Sequence, residues 1–282
     1  MPVKCVYAAS GDIGISVIIP TWDGDRRGNV PRLIENLKAQ DIGPFEIILS
    51  IAETPNGYAR NLGADAAQGD LLIFIDDDVL LGEDDLLRRL TAPFSENANI
   101  GLTGVSQLLP PDAGWFQHWA AGQIPRSSSP VVETLTDSDM VTTMCLAIPR
   151  DLFYRIGKMD DYMLAGIDPD LRHRVRVAGY RVAVVPKAWA YHPSPDTLYA
   201  LIMYAHKKGG YTACPYRFAR EQMYDCPEAH TGNFKSQTTL FYRVMRKILR
   251  VLNEALGLKP MGLLYDMCYV VGYLHGLVRK WS

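Results

Sequence analysis

The ten residues from Leu71 to Leu80, LLIFIDDDVL, constrain the fold more than any other part of the chain. Five apolar residues run directly into three consecutive carboxylates, Asp76, Asp77 and Asp78. A short and continuous apolar run is typical of a strand that is buried on both faces of a sheet. Carboxylates do not remain inside such a strand unless they are paired or bind a metal. We therefore expect the strand to end at Asp76.

The crowding of the three carboxylates predicts a cation site at this strand end. Open α/β sheets bind ligands at the carboxyl ends of their strands. Carboxylates packed together there repel one another, and a hard divalent cation with oxygen ligands relieves the repulsion. The alternative is a strand that is simply followed by an acidic turn.

The segments around this stretch repeat a strand–helix pattern. Ile15–Ile19 and Phe45–Ile51 are predicted to be buried strands, and Pro20 stops the first of them. Helices are predicted from Asn29, as N-cap, to Gln40 and over residues 59–67. This order predicts an α/β fold with a parallel, doubly wound sheet and right-handed crossovers.

Composition limits the compartment and the partners of the chain. The net charge of −2 over 282 residues gives no reason to expect nucleic acid as a partner. Five scattered cysteines without a CxxC pair are typical of a reduced, intracellular protein. There is no signal-peptide pattern and no uninterrupted apolar run of about 18 residues. We therefore expect a cytoplasmic protein without a membrane-spanning helix.

Three motifs of the first half resemble one enzyme family. They are SVIIPTW at the first strand, EII in the second, and ARNLGADAAQGDLLIFIDDDV across the second helix and third strand. Together they resemble glycosyltransferase family two, whose members use nucleotide-sugars, and the similarity extends roughly from Ile15 to His192. The resemblance implies the GT-A fold, a Rossmann-like and mostly parallel central sheet flanked by helices. It would form a catalytic domain over residues 1–215, with a nucleotide-sugar half to about 110 and an acceptor half from about 111. Residues 216–282 would form a C-terminal helical extension.

The resemblance also implies roles for the residues that hold the donor, a UDP-, GDP- or dTDP-sugar. Asp78 would bind Mn²⁺ or Mg²⁺ that bridges the donor diphosphate. Glu53 would replace the aspartate with which the family usually grips the base, because the DDGS-like run is SIAE here. Arg60 is equally compatible with a structural salt bridge. The nucleotide-sugar-binding residues would be Pro20, Thr21, Glu53, Arg60, Asp76 and Asp77.

A later motif, GIDPDL at residues 166–171, is similar to the family's Glu-Asp-x-Asp-Leu motif, although Ile167 replaces the glutamate. The resemblance makes Asp168 the catalytic base, which takes the proton of the acceptor hydroxyl during an inverting displacement. Asp168 is also suited to be the N-cap of the following helix, with Pro169 at its first position. Asp170 is expected either to contact the acceptor or to pair with Arg174.

Four further residues belong to the predicted site or border it. His192, after a predicted strand over residues 180–185, would be the second protein ligand of the metal by resemblance. Trp115 and Trp119 lie in a loop-rich segment and either stack on the acceptor or pack beneath the loop. Cys145 lies within a predicted strand over residues 139–148 and is expected to be a small buried residue rather than a nucleophile.

The C-terminal segment is predicted to contain an amphipathic helix, in which apolar residues from Phe241 to Leu252 alternate at helical spacing with basic residues. Such a helix either lies on an anionic membrane, which suits a lipid-linked acceptor, or packs on the catalytic domain or in a homodimer. Packing is the preferred interpretation, and any membrane contact would be peripheral, at the inner face. Lys207–Gly210 is expected to be a basic loop that closes over the phosphates, or a helix C-terminus.

The combined interpretation is a metal-dependent, inverting glycosyltransferase. It would move a single sugar from a nucleoside-diphosphate-sugar to a saccharide, lipid-linked or small-molecule acceptor. Single transfer is expected because the QxxRW motif of processive synthases is missing. The alternatives are an Asp-nucleophile phosphohydrolase, a sugar nucleotidyltransferase, and a catalytically inactive saccharide-binding protein of the same fold.

Overall fold

A computed structural model of the protein describes residues 2–52, 56–124, 126–214, 224–225, 235–236 and 240–279. The strands are β1 Val3–Ala8, β2 Ile15–Thr21, β3 Phe45–Ile51, β4 Leu71–Ile75, β5 Leu80–Leu81, β6 Ile100–Leu108, β7 Thr136–Asp137, β8 Cys145–Pro149, β9 Arg181–Tyr191, β10 Tyr224–Asp225 and β11 Lys235–Ser236. The helices are α1 Asn29–Lys38, α2 Asn56–Ala66, α3 Leu86–Glu96, α4 Trp115–Ala121, α5 Arg150–Arg155, α6 Ile167–Val177, α7 Leu198–Ala213, α8 Leu240–Leu256 and α9 Pro260–Val278.

The central sheet has nine strands among the described residues, in the order β1-β3-β2-β4-β8-β6-β9-β5, with β7 added beside β9. β2 pairs in parallel with both β3 and β4, as the strand–helix repeat predicts. β8 is antiparallel to β4 and to β6, and β1 is antiparallel to β3, so the parallel strands β3, β2 and β4 have antiparallel neighbours on both sides. The predicted α/β class, a central sheet flanked by helices with helices at the C-terminal end, is confirmed.

The β4 strand is buried on both faces, as its apolar run predicts. Ile73 and Ile75 belong to the core on one face of the sheet, and Leu72 and Phe74 belong to the core on the other. This alternation follows from the two-residue repeat of a strand. Because both faces are packed, β4 holds the acidic turn that follows it in a fixed position.

The two helix caps predicted from polar side chains are wrong. The N-cap of α1 is Gly28, with φ +82°, and the N-cap of α6 is Gly166, with φ +91°. Glycine adopts these left-handed conformations without steric cost. Asn29 and Asp168 therefore lie inside their helices, where their side chains make other contacts, and Pro169 is not at the first helical position.

Of the two alternatives for Lys207–Gly210, a loop or a helix C-terminus, the loop is wrong, because these residues lie in the C-terminal half of α7. Glycine is required here by close helix packing. A Cβ at Gly209 would lie 2.0 Å from the Tyr269 carbonyl oxygen of α9. A Cβ at Gly272 of α9 would lie 2.0 Å from the His206 carbonyl oxygen of α7. The two helices therefore approach each other at backbone distance.

Candidate active site

Asp76, Asp78 and His192 meet at the carboxyl end of β4. One ligand atom from each side chain lies within 4.8 Å of the others. The closest contact between His192 and Asp78 joins Nε2 to Oδ1 at 3.5 Å. β9 ends at Tyr191 and pairs with β5, which follows the acidic turn, and this pairing delivers His192. The two residues predicted to bind metal are thus neighbours, and Asp76 joins them.

Burial disfavours the ionised forms of two carboxylates at this strand end, Asp76 and Asp77. Burial raises the pKa of Asp76 to about 6, against the lowering effect of Arg60, and the neighbouring Asp78 raises it further. Burial also raises the pKa of Asp77, although a hydrogen bond from Thr21 and the charge of Arg26 oppose the shift. Two carboxylates and an imidazole form a donor set that suits Mn²⁺ or Mg²⁺. The residues present therefore fit a divalent cation.

A protein cation already lies against the cluster. Arg26 Nη2 donates a hydrogen bond to Asp78 Oδ2 at 2.8 Å, and Arg26 Nε lies 3.5 Å from Asp77 Oδ1. Its position depends on the loop between β2 and α1, where Arg26 has φ +47°. With Arg27 and Arg32 it lines a cavity of about 530 Å³ that also contains Asp78. The cavity thus combines acidic groups for a cation with basic groups for a phosphate.

The amide of Asn29 holds the acidic turn in place. Asn29 Nδ2 donates to the carbonyl oxygens of Asp77, at 2.8 Å, and Val79, at 3.3 Å. Sequence reasoning interpreted Asn29 as a cap and missed both this role and the contact of Arg26. The sequence indicates these contacts only through the position of the β2–α1 loop, which lies at the same sheet edge as the acidic turn.

The residues predicted to bind the donor lie in different surroundings. Arg60 is buried and its Nη2 contacts Asp76 Oδ1, which is the structural salt bridge left open by the sequence. Thr21 is buried beside Pro20 at the end of β2, and its Oγ1 accepts a hydrogen bond from the Gly24 amide at 3.2 Å. Glu53 lies outside the described residues. Nucleotide binding by these residues stays a prediction.

Other residues of the family-like motif hold the fold around the site. The Asn61 amide donates to the Met159 carbonyl oxygen at 2.7 Å, which ties α2 to the loop before α6. A Cβ at Gly63 would lie 2.4 Å from Ile18 Cγ2, and one at Gly69 would lie 2.6 Å from the Ile15 carbonyl carbon. The spacing of this motif therefore reflects close packing of α2 on β2.

Asp168 is held next to the acidic cluster by one turn of the chain. The Thr143 amide donates to Asp168 Oδ1 at 2.9 Å, and the Asp76 amide donates to the carbonyl oxygen of the adjacent Met144 at 3.0 Å. The predicted strand over residues 139–148 is wrong in its first six residues, because regular β8 begins only at Cys145. Burial raises the pKa of the Cys145 thiol, which agrees with the prediction that it is no nucleophile.

A buried ion pair braces this turn. Arg172, one helical turn after Asp168, is buried, and its Nε donates to Asp139 Oδ1 at 2.9 Å. Arg176 Nη1 donates to the same oxygen at 3.1 Å. Burial alone would raise the pKa of Asp139, but the charges of the surrounding arginines outweigh it and hold the pKa below its usual range. Sequence reasoning missed Asp139 and Arg172, since nothing local marks them as partners.

The residues predicted to contact the acceptor are arranged as follows. Asp170 Oδ2 accepts from Arg174 Nε at 2.9 Å, so of its two predicted roles the structure contains the ion pair. The segment with Trp115 and Trp119 forms α4 rather than a loop, and their ring centroids are 5.9 Å apart. Trp115 is 76% exposed and so is not packed beneath its segment. Gln117 of the same helix lines the cavity with Asp78.

A family model, a relative and a solved structure are similar to this chain. Residues 49–205 match the family model described as glycosyltransferase like family 2. The succinoglycan biosynthesis protein ExoM of Rhizobium meliloti (strain 1021) is 27% identical over 190 residues, 66% of this chain and 60% of that protein, so the chain spans less than two thirds of this relative. The solved mannosyltransferase PcManGT of Pyrobaculum calidifontis, in complex with GDP-Man and Mn²⁺, has a TM-score of 0.60 at 13% identity over 94% of this chain and 88% of that one. The structural likeness confirms the predicted GT-A fold.

Proposed function

The chain belongs to the glycosyltransferase-like family 2, and from this premise we propose that it is a metal-dependent, inverting glycosyltransferase that moves a single sugar to an acceptor hydroxyl. One observation carries the proposal. Asp168 and the acidic cluster are anchored to consecutive residues, Thr143 and Met144, so a carboxylate suited to be a base borders the candidate metal site.

The donor of this proposal is a nucleoside-diphosphate-sugar that occupies the cavity beside Asp78. Asp76, Asp78 and His192 would hold Mn²⁺ or Mg²⁺, which when bound neutralises the charge of the leaving diphosphate. Arg26 and Arg27 line the same cavity and supply positive charge for the phosphates. The similar mannosyltransferase, solved with GDP-Man and Mn²⁺, supports this choice of ligands. A thermal-shift screen of UDP-, GDP- and dTDP-sugars with and without Mn²⁺ would identify the base.

Asp168 has the chemistry of the general base. Its Oδ1 accepts a hydrogen bond from the Thr143 amide, which orients the carboxylate. The acceptor hydroxyl attacks the anomeric carbon, its proton passes to Asp168, and the bond to the diphosphate oxygen breaks with inversion. The Arg172–Asp139 pair keeps the turn that carries Thr143 in place.

The substitution Asp168→Asn tests the role of the base. The amide oxygen preserves the hydrogen bond from Thr143 but cannot take a proton, so kcat should fall roughly 10²–10⁴-fold. Donor and Mn²⁺ affinity, measured by calorimetry, should stay as in the wild type. Asp151→Asn, at an exposed position of α5, is the matched control and should leave kcat unchanged. Unchanged turnover in Asp168→Asn would remove this residue from the role.

A further inference from the structure

Helix α8 turns its apolar side away from the protein. Phe241 is 75% exposed and Leu256 is 84% exposed, at opposite ends of one stripe. The spacing of three and four residues places the stripe on one face of the helix. The preferred interpretation from sequence was packing on the catalytic domain or in a homodimer; of these, packing on the catalytic domain is not found among the described residues. The other exposed members of the stripe are Val244, Met245, Ile248, Leu249 and Leu252.

Two charged residues of α8, Arg250 and Glu254, lie on the side of the helix that faces α9. Arg250 Nε donates to Glu254 Oε1 at 2.7 Å, and Arg250 Nη2 lies 3.2 Å from Asp266 Oδ1 of α9. Glu254 and Asp266 are both buried. The Arg250–Asp266 ion pair thus joins α8 to α9, and this part of α8 is oriented opposite to an amphipathic helix on a water-soluble core.

Helix α9 also exposes its large apolar residues and places small residues on its inner side. Its inner side approaches α7 through glycines, since a Cβ at Gly276 would lie 2.6 Å from the Gly210 carbonyl oxygen, in addition to the Gly209 and Gly272 contacts. Small residues between helices and large apolar residues outside are typical of helices in lipid. Among the described helices, α9 is also long and apolar enough to cross a membrane by length and composition, despite Asp266. Its exposed outer residues are Met267, Val270, Val271, Leu274, Leu277 and Val278.

The charge of these two helices selects an anionic surface. Residues 240–279 contain six Lys or Arg and two Asp or Glu, a net charge of +4, whereas the whole chain has a net charge of −2. Three of the basic residues, Arg243, Arg246 and Lys247, lie in the first half of α8. An apolar helix face flanked by basic residues is typical of helices that lie in the headgroup region of anionic membranes.

We propose that α8 and α9 form a membrane-docking surface whose apolar faces enter an anionic lipid bilayer. The neighbouring aromatic residues fit this orientation. Trp115 is exposed on α4, whose Ala120 packs in one cluster with Tyr265 of α9. Tryptophan is enriched at the level of lipid headgroups. Docking goes beyond glycosyl transfer and does not depend on it.

The test is flotation of the full chain with vesicles of phosphatidylglycerol and phosphatidylcholine. The double variant Leu249→Ser/Leu252→Ser changes two exposed residues of the α8 stripe and should keep the thermal midpoint of the wild type. Its vesicle partition coefficient should fall roughly 100-fold, since loss of each leucine from the lipid costs about one tenfold step. Val177→Ser, at a 72% exposed position of α6, is the control and should bind as the wild type does.

Three outcomes would overturn the proposal. The first is equal vesicle binding by the double variant and the wild type. The second is equal binding of the wild type to vesicles of pure phosphatidylcholine, which would remove the anionic preference. The third is a wild type that does not bind vesicles but is a dimer by light scattering, together with a double variant that is a monomer. In that case the apolar face would bind a second copy of the chain.

Discussion

Removal of the Arg26 guanidinium should strengthen the binding of Mn²⁺ alone. Arg26 Nη2 lies 2.8 Å from Asp78 Oδ2, and Nε lies 3.5 Å from Asp77 Oδ1. In the absence of a metal this side chain neutralises the carboxylates that a cation would bind. The substitution Arg26→Gln removes the charge but keeps most of the length and polarity of the side chain. A bound cation would then interact with Asp77 and Asp78 carboxylates whose negative charge is no longer partly neutralised by Arg26.

The magnitude follows from the exposure of the pair. The Arg26 side chain is 51% exposed, so each contact is screened by solvent and contributes about 0.2–1 kcal/mol. Two such contacts sum to about 1 kcal/mol, which corresponds to a roughly fivefold lower Kd for Mn²⁺. The gain should shrink as ionic strength rises, because exposed charges are screened by salt.

Isothermal titration of the apo protein with MnCl₂ measures this effect. The control is Arg27→Gln, the next residue, which lines the same cavity but has no ion pair with the acidic turn in the described part of the chain. A Kd that is unchanged or higher in Arg26→Gln, or equally lower in both variants, would refute the idea that Arg26 competes with the metal.

Three further predictions concern pH, packing and the acidic turn. Because burial raises the pKa of Asp76 to about 6, this carboxyl is mostly protonated at pH 5, where an ordinary aspartate is ionised. Apparent Mn²⁺ affinity should therefore fall roughly tenfold per pH unit below 6. A titration that gave the same affinity between pH 5 and 7 would contradict this. Gly209→Ala places a Cβ 2.0 Å from the Tyr269 carbonyl oxygen and should destabilise the fold by about 1–3 kcal/mol in calorimetry, whereas Gly210→Ala, with 3.5 Å of room, should not. Asn29→Ala removes both hydrogen bonds to the acidic turn and should lower the thermal midpoint and weaken Mn²⁺ binding, and normal values of both would exclude the anchoring role.

Local patterns predicted much of the framework of the site. The apolar run of β4 and the carboxylates that follow it were sufficient to place an acidic turn at a sheet edge, and the structure contains that turn. The neighbouring positions of Asp78 and His192, 114 residues apart in the chain, were expected only through the family resemblance. Arg26 and Arg172 were missed because their partners, Asp78 and Asp139, are distant in sequence.

Strands β2, β3 and β4 and the acidic turn were determined by the sequence itself, since continuous apolar runs and the cost of burying carboxylates act within a few residues. The tertiary structure decided which cation faces Asp78 and which side of α8 faces outward. An amphipathic pattern defines two faces of a helix without saying which of them meets the protein. That choice depends on contacts such as the one between Arg250 and Asp266, which exist only once the two helices are packed together.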